Sequence, residues 1–508
     1  MSPSPLDHPE RACEVRWRAL PSGAGDLLDV FERIRDEACP WLLDSALVDG
    51  RLGRFSFAGA DPHLVLRAFG RQLELHTRRA VWPGTSPGIR AVEGDVFQVL
   101  RRLLQTTPAV AGDLPIPLPF IGGAVGYLGY ELAEETLPVE LNGRDDLGFP
   151  DATLLFVDRM VALDHEAGTL WAIGLGFGTD AAIAATRAEE SVDACARWVL
   201  PAGVECESRE PIRPSDLEMP RPEGAIAHPV GLEQELGRVR YENAVSRLRD
   251  EIAAGNVYEA NLTQRMTAPF AGDTWTLYRA LRQQNPAPFA SFMDLPDGAI
   301  LSSSPERFLQ LRADGRVESR PIKGTRPRGA TPDADRALAA ELVSSEKDRA
   351  ENLMIVDLVR NDLGRVCEIG SVEVPAMMEV ERYASVFQLV STVVGRLADG
   401  HDGLDLVRAA FPPGSMTGAP KIAAVRLLDT LEPVRRGVYS GAIGYLDVRG
   451  GLDLSVVIRT LLVRKGRAHL HVGGAVVADS DPAAEYEESL DKARALLVAL
   501  RTCTQPPD

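Results

Sequence analysis

Apolar positions along this chain repeat with two different periods. In the first part, the short runs HLVLRAF, QLELHT, ATLLFVDRMVALDH and TLWAIGLGF have the length and residue types of strands. Two stretches between them, GDLLDVFERIRDEA and GDVFQVLRRLLQ, predict helices. A region from 201 to 237, rich in Pro and Glu and without periodicity, predicts a linker or surface excursion between a region 15–200 and a region 238–503. Beyond it, YENAVSRLRDEIAAG predicts a helix ending at Gly255. GAILSSSPERFLQLRA and GRVESRPIKGT predict a strand pair around Asp314 and Gly315, and LDLSVVIRTLLV a strongly apolar strand. DADRALAAELVSSEKDRAENLMIVDLVRNDLGRV predicts one or two helices, and PAAEYEESLDKARALLVALR a closing one. Strands and helices mix without strict alternation, which predicts an α+β sandwich over a doubly wound sheet.

Composition narrows the function. The 508 residues are 45% hydrophobic and carry a net charge of −18, which argues against nucleic acid or an anionic membrane as the main partner. No apolar run approaches the roughly 20 residues needed to cross a bilayer, and the N-terminus has no signal or transit pattern. Cys13, Cys39, Cys195, Cys206, Cys367 and Cys503 show no C-x-x-C spacing and read as free thiols of a cytoplasmic protein. A small anion can still bind wherever the field is locally positive.

ESRPIKGTRPRG offers such a place, with Lys323 among Arg320, Arg326 and Arg328. An ordinary lysine pKa of about 10.4 leaves about 0.1% free amine near neutrality. Lowering it by about 3 units means destabilising the cation by roughly 4 kcal/mol, and burial with neighbouring cations is the expected source. Asp348 and Glu351 lie three apart on one predicted helix, Glu485 and Glu488 on another. Such pairs project from one face and are either solvated or, where two helices meet, oxygen ligands for a hard cation such as Mg²⁺. FPPGSMTGAPK and HVGGAVVADSDP are glycine-rich turns that either cradle an anion or simply turn the chain; neither is a nucleotide fingerprint. Arg459, inside its apolar strand with Tyr439 upstream, calls for a carboxylate from the protein or from a ligand. Glu306, at the end of LSSSPERF, is a general acid or base if buried, or a salt-bridge partner of Arg307 or Arg320.

These motifs occur in one order with GNVYEANLTQR, NPAPFASF, SGAIGYLD and, upstream, LLDSALVDGRLGRFSFAGADP and PFIGGAVGYLGYE. Together they resemble the chorismate-binding enzyme family along nearly the whole chain. The resemblance implies a large two-sheet β-sandwich flanked by helices, as in anthranilate synthase component I. The lysine of IKGT is similar to that of the branch aminating chorismate at C4, for 4-aminobenzoate and folate; the anthranilate-forming branch has alanine there. It implies Lys323 as nucleophile and Glu306 as proton donor to the departing hydroxyl. It further implies Glu351 and Glu488 as Mg²⁺ ligands, with Asp348 and Glu485 assisting. Gly324 and Thr325 would hold the ring carboxylate, and Tyr439, Arg459, Gly473 and Gly474 the enolpyruvyl carboxylate. Two positions depart from the family pattern: Gln388 stands where a histidine is usual, and Glu259 where a glutamine is common. Glutamine cannot transfer a proton near neutral pH, which fits an enzyme that stops at the aminated intermediate. No cysteine lies in a G-x-C-x-G elbow, so ammonia is expected from a separate glutamine amidotransferase subunit. A regulatory tryptophan pocket is expected around Ser45. The competing expectations are anthranilate synthesis, an isochorismate-type enzyme that adds water to chorismate, and a lapsed regulatory or partner-binding subunit.

Overall fold

The computed structural model describes residues 12–504 apart from 22–25, 49–51, 82–84, 106–109, 115, 200–228 and 384–385. The stretch 201–237 therefore lies mostly outside the described residues. Two large sheets, of 13 and 12 strands, face each other, with helices on their outer sides. Both sheets draw strands from before and after that stretch. In the first, Trp41–Asp44 pairs antiparallel with Phe289–Leu295, Leu42 opposite Phe292. In the second, Gly123–Leu128 pairs with Ala442–Asp447, Gly126 opposite Gly444.

Strands here are apolar on both faces because both faces are covered. Along Ala152–Val157, Leu154 and Phe156 join one core with the outer helices of the second sheet, while Leu155 and Val157 join the layer between the sheets. Along Thr169–Gly178, Leu170 and Ala172 face the helices of the first sheet, and Ile173, Leu175 and Phe177 face inward. The shared layer contains Trp41, Phe57, Phe120 and Tyr445, the last two stacked at 4.6 Å. ATLLFVDRMVALDH forms two strands, Ala152–Val157 and Arg159–Asp164. GDLLDVFERIRDEA folds as Leu27–Ile34, started by a capping box between Asp26 and Asp29.

Two expectations change at this level. LDLSVVIRTLLV is not one strand: Leu452–Val456 belongs to the second sheet and Thr460–Arg464 to the first, and Arg459 sits in the crossing with φ 51°. Gly473 and Gly474 are not in a turn but inside the strand Arg467–Val476, paired with Glu259–Pro269. A Cβ on Gly473 would stand 2.0 Å from the Leu262 carbonyl oxygen, so only glycine permits that approach. DADRALAAELVSSEKDRAENLMIVDLVRNDLGRV makes two helices, Pro332–Ser344 and Glu346–Gly364, the second capped by Ser345.

Candidate active site

The site forms where the Lys323 strand of one sheet faces the Glu259 strand of the other. Lys323 and Gly324 occupy a bulge in Ile322–Pro327: the register against Val386–Arg396 shifts between Ile322 and Thr325. Gly324 holds φ 82°, and a Cβ there would lie 2.9 Å from Asp348 Cγ and Leu342 Cδ1. Glycine thus lets the bulge pack against the Glu346–Gly364 helix and turns Lys323 inward. Its Nζ donates to Glu259 Oε1 at 2.7 Å, and the Glu259 side chain is almost completely buried.

The surrounding charge is the reverse of the sequence expectation. Each neighbouring arginine has its own acid: Arg320 bonds Glu381, Arg326 bonds Glu341 and Asp348, and Arg328 bonds Asp335. What Lys323 meets is carboxylate. Burial pulls its ammonium down, but Glu259, Glu351 and Glu306 together outweigh burial and its pKa is pushed up to about 12. The arginines therefore do not activate this lysine, because local sequence neighbours find non-local partners.

Glu306 is buried, and neither Arg307 nor Arg320 pairs with it: Arg307 is held by Glu318 and Asp453. Burial lifts its carboxyl to about 7, against the opposing pull of Ser415 and Lys323. Its backbone is fixed by Ser304 Oγ at 3.3 Å and by Val456 N at 3.0 Å.

Glu351, Glu485 and Glu488 lie around Lys347 and Lys492, while Asp348 turns to Arg326 instead. Lys347 Nζ lies 2.9 Å from Glu485 Oε1 and 3.9 Å from Glu351 Oε1. Glu488 pairs with Lys492 at 2.8 Å, and Asp348 with Arg326 at 3.0 Å. Glu351 is lifted to about 7, by burial first, while Lys492 holds Glu488 below its ordinary value. Among the described residues, no three His, Cys, Asp or Glu side chains converge closely enough to hold a metal ion in this arrangement. Glu351 Oε1 and Glu485 Oε2 are nevertheless buried without a hydrogen-bond partner there. A Cβ on Gly474 would fall 3.2 Å from Glu485 Oε2 and 3.7 Å from Glu488 Oε1, so that glycine leaves room beside the acids.

Arg459 lies next to this group. Its guanidinium donates to the Lys492 carbonyl at 3.2 Å and pairs with no carboxylate among the described residues, and burial lowers its pKa. Lys492 in turn donates to the Gly473 carbonyl at 2.9 Å. Tyr439 is buried and stacks on His471 at 5.0 Å. Thr325 is exposed, opposite Gln388, whose buried Oε1 has no partner among the described residues. Glu259, Lys347 and Lys492 were not assigned a role by sequence reasoning. The Lys347–Glu351 and Glu488–Lys492 spacings of four were the readable signal; the Glu259–Lys323 contact spans 64 residues and two sheets.

Ser45 is buried away from these residues, its hydroxyl donating to the Phe55 carbonyl at 2.9 Å. A cavity of about 670 Å³ lies between the sheets nearby, lined by Asp44, Arg54, Phe289, Tyr445 and Asp453 but not by Ser45. It is separate from Lys323. No helix among the described residues is long and apolar enough to cross a membrane.

The chorismate binding enzyme family matches residues 49–498. Aminodeoxychorismate synthase of Streptomyces pristinaespiralis is 44% identical over 92% of this chain, which spans 62% of that protein's length. Anthranilate synthase component 1 of Pseudomonas putida is 37% identical over 97% of this chain and 98% of its own length. The solved anthranilate synthase component I from Streptococcus pneumoniae superposes with a TM-score of 0.71 at 29% identity, over 89% of this chain and 94% of that one.

Proposed function

The chain belongs to the chorismate-binding enzyme family, and from that premise we propose that it aminates chorismate at C4 to give 4-amino-4-deoxychorismate. The observation that carries this reading is the largely buried Lys323 at the seam of the two sheets, with the raised carboxyl of Glu306 within its field.

Chorismate is a cyclohexadiene with two carboxylates, an enolpyruvyl ether at C3 and a hydroxyl at C4. In this reading, Lys323 Nζ attacks C2 while the C4–O bond breaks. Glu306, half protonated near pH 7, gives its proton to the leaving oxygen, which departs as water. Ammonia then attacks C4, the C2–N bond breaks, and the lysine is released. Two displacements replace one harder one. Arg459, with no carboxylate partner among the described residues, would take the enolpyruvyl carboxylate together with Tyr439, Gly473 and Gly474. Gly324 and Thr325 would face the ring carboxylate. Such positioning supplies much of a displacement barrier.

Glu351, Glu485, Glu488 and Asp348 offer only hard oxygen donors, and two of those oxygens are buried without a hydrogen-bond partner among the described residues. That donor set fits Mg²⁺ once Lys347 and Arg326 yield their contacts. Held by these residues, the cation would supply positive charge for the ring carboxylate. Ammonia would come from a separate glutamine amidotransferase subunit, and the cavity beside Ser45 is where a regulatory tryptophan would bind.

Purified protein given chorismate, Mg²⁺ and ammonium at alkaline pH should form 4-amino-4-deoxychorismate, identified by chromatography and mass. Glutamine alone should give none. Anthranilate and pyruvate as the main products would move the chain to the anthranilate-forming branch.

A further inference from the structure

A nucleophilic Lys323 must lose a proton before it can attack, and the acceptor has to be within reach of Nζ. Arg320, Arg326 and Arg328 cannot drive that loss, since each is neutralised by its own acid. Glu306 cannot take the proton either, because it must begin protonated to release the C4 oxygen as water. Gln388 has no basic atom near neutral pH. Glu259 Oε1 is the acceptor bonded to Nζ, at 2.7 Å.

Glu259 is the counter-ion of the Lys323 ammonium at rest, so the proton has to cross to it against that pairing as the amine turns to C2. It starts the strand Glu259–Pro269, and its backbone is pinned by pairing with Ala419. Its side chain is fully buried, yet Oε2 has no hydrogen-bond partner among the described residues.

We propose that Glu259 is the base that takes the proton of Lys323 before attack and returns it when the lysine is released. This rests on the covalent reading given above. The proton count closes over a cycle. The Lys323 ammonium gives one proton to the Glu259 carboxylate, leaving a neutral amine and a neutral acid. The amine bonds to C2, the C4–O bond breaks, and Glu306 gives its proton to form water. Ammonia bonds to C4, the C2–N bond breaks, and Lys323 leaves as a neutral amine. Glu306 recovers a proton from the new C4 ammonium, and Glu259 returns its stored proton to Lys323.

The test is the rate at which a lysine adduct appears. Wild-type protein with Mg²⁺ and chorismate but no ammonia is quenched in acid at intervals, and the adduct on Lys323 is quantified by intact and peptide mass. Chorismate affinity is measured in parallel by calorimetry. Glu259→Gln, which keeps the shape but cannot accept a proton, should slow adduct formation at least about 100-fold while leaving chorismate affinity within about threefold. Glu259→Asp keeps the carboxylate and should fall between the two. Glu259→Ala is the deciding variant if the glutamine protein fails to bind chorismate: adduct formation at the wild-type rate by Glu259→Ala would then overturn the proposal. An adduct formed as fast by a chorismate-binding Glu259→Gln protein overturns the role of Glu259 alone. No adduct on the wild-type protein overturns the covalent reading and this proposal with it.

Discussion

Replacing Glu306 by glutamine should stabilise the protein and disable it together. Burial moves this carboxyl from an ordinary 4.5 to about 7. That displacement of ~2.5 units, at about 1.36 kcal/mol per unit, makes the ionised form cost roughly 3 kcal/mol in the folded state. The sign follows from which state binds the proton. Below pH ~4.5 the carboxyl is neutral in both folded and unfolded chains and costs nothing. As pH rises from ~4.5 to ~7 the unfolded chain ionises first, so stability falls; above ~7 the full penalty is present. Glutamine has nearly the same shape and never ionises, so it removes the penalty where it exists. Unfolding entropy of ~2.1 cal/mol/K per residue over 508 residues is about 1 kcal/mol/K, so the gain in Tm should be about 3 °C at pH 8 and about 1 °C or less at pH 5. Thermal unfolding of ligand-free wild-type and Glu306→Gln proteins, followed by circular dichroism at both pH values, measures it. In the proposed reaction kcat should drop about 10²- to 10⁴-fold, since the leaving oxygen loses its proton donor. A variant that melts at or below wild type at pH 8, or gains equally at pH 5 and 8, would refute the assignment of Glu306 as a buried, readily protonated acid.

The acidic pairs and the lysine bulge give two further expectations. Chelation by EDTA should abolish turnover and Mg²⁺ restore it, and Glu351→Gln should raise the Mg²⁺ concentration for half-maximal activity at least about tenfold, because a charged oxygen ligand is lost; full activity in chelator would contradict the metal assignment. Gly324→Ala puts a Cβ against Asp348 and Leu342 at φ 82°, a strain of about 1–3 kcal/mol, so it should lower Tm by about 1–3 °C and reduce turnover more than tenfold. Unchanged melting and turnover in that variant would show that the bulge tolerates a side chain.

What the sequence conveyed and what it concealed divide along physical lines. Elements whose signal is local were legible: the Leu27–Ile34 helix with its capping acids, and the paired strands 64–69 and 72–77. Runs such as ATLLFVD read correctly as strands, because a sheet covered on both faces needs apolar residues at consecutive positions. Arg459 was harder. Its run stays apolar through the crossing from one sheet to the other, so periodicity carries no mark of the break. Gly473 and Gly474 looked like a turn, yet both lie inside a strand, where Gly473 serves the close approach of the paired strand and Gly474 leaves room beside Glu485 and Glu488. The electrostatics of Lys323 could not be read from its neighbours at all. Three arginines within five positions are each neutralised by an acid 7 to 61 residues away, and the decisive partner, Glu259, comes from the other sheet. Sequence proximity of charges predicts a field only when the surrounding fold leaves those charges unpaired.

The claim that most needs testing is that Lys323 reacts rather than merely binds. The rate of 4-amino-4-deoxychorismate formation by Lys323→Ala, with chorismate, Mg²⁺ and saturating ammonium, tests it most directly. The amine is lost, so the rate should fall at least about 100-fold, while ammonia gains room at C2 and the 2-amino isomer or traces of anthranilate become accessible. A Lys323→Ala protein making 4-amino-4-deoxychorismate at the wild-type rate would contradict the account.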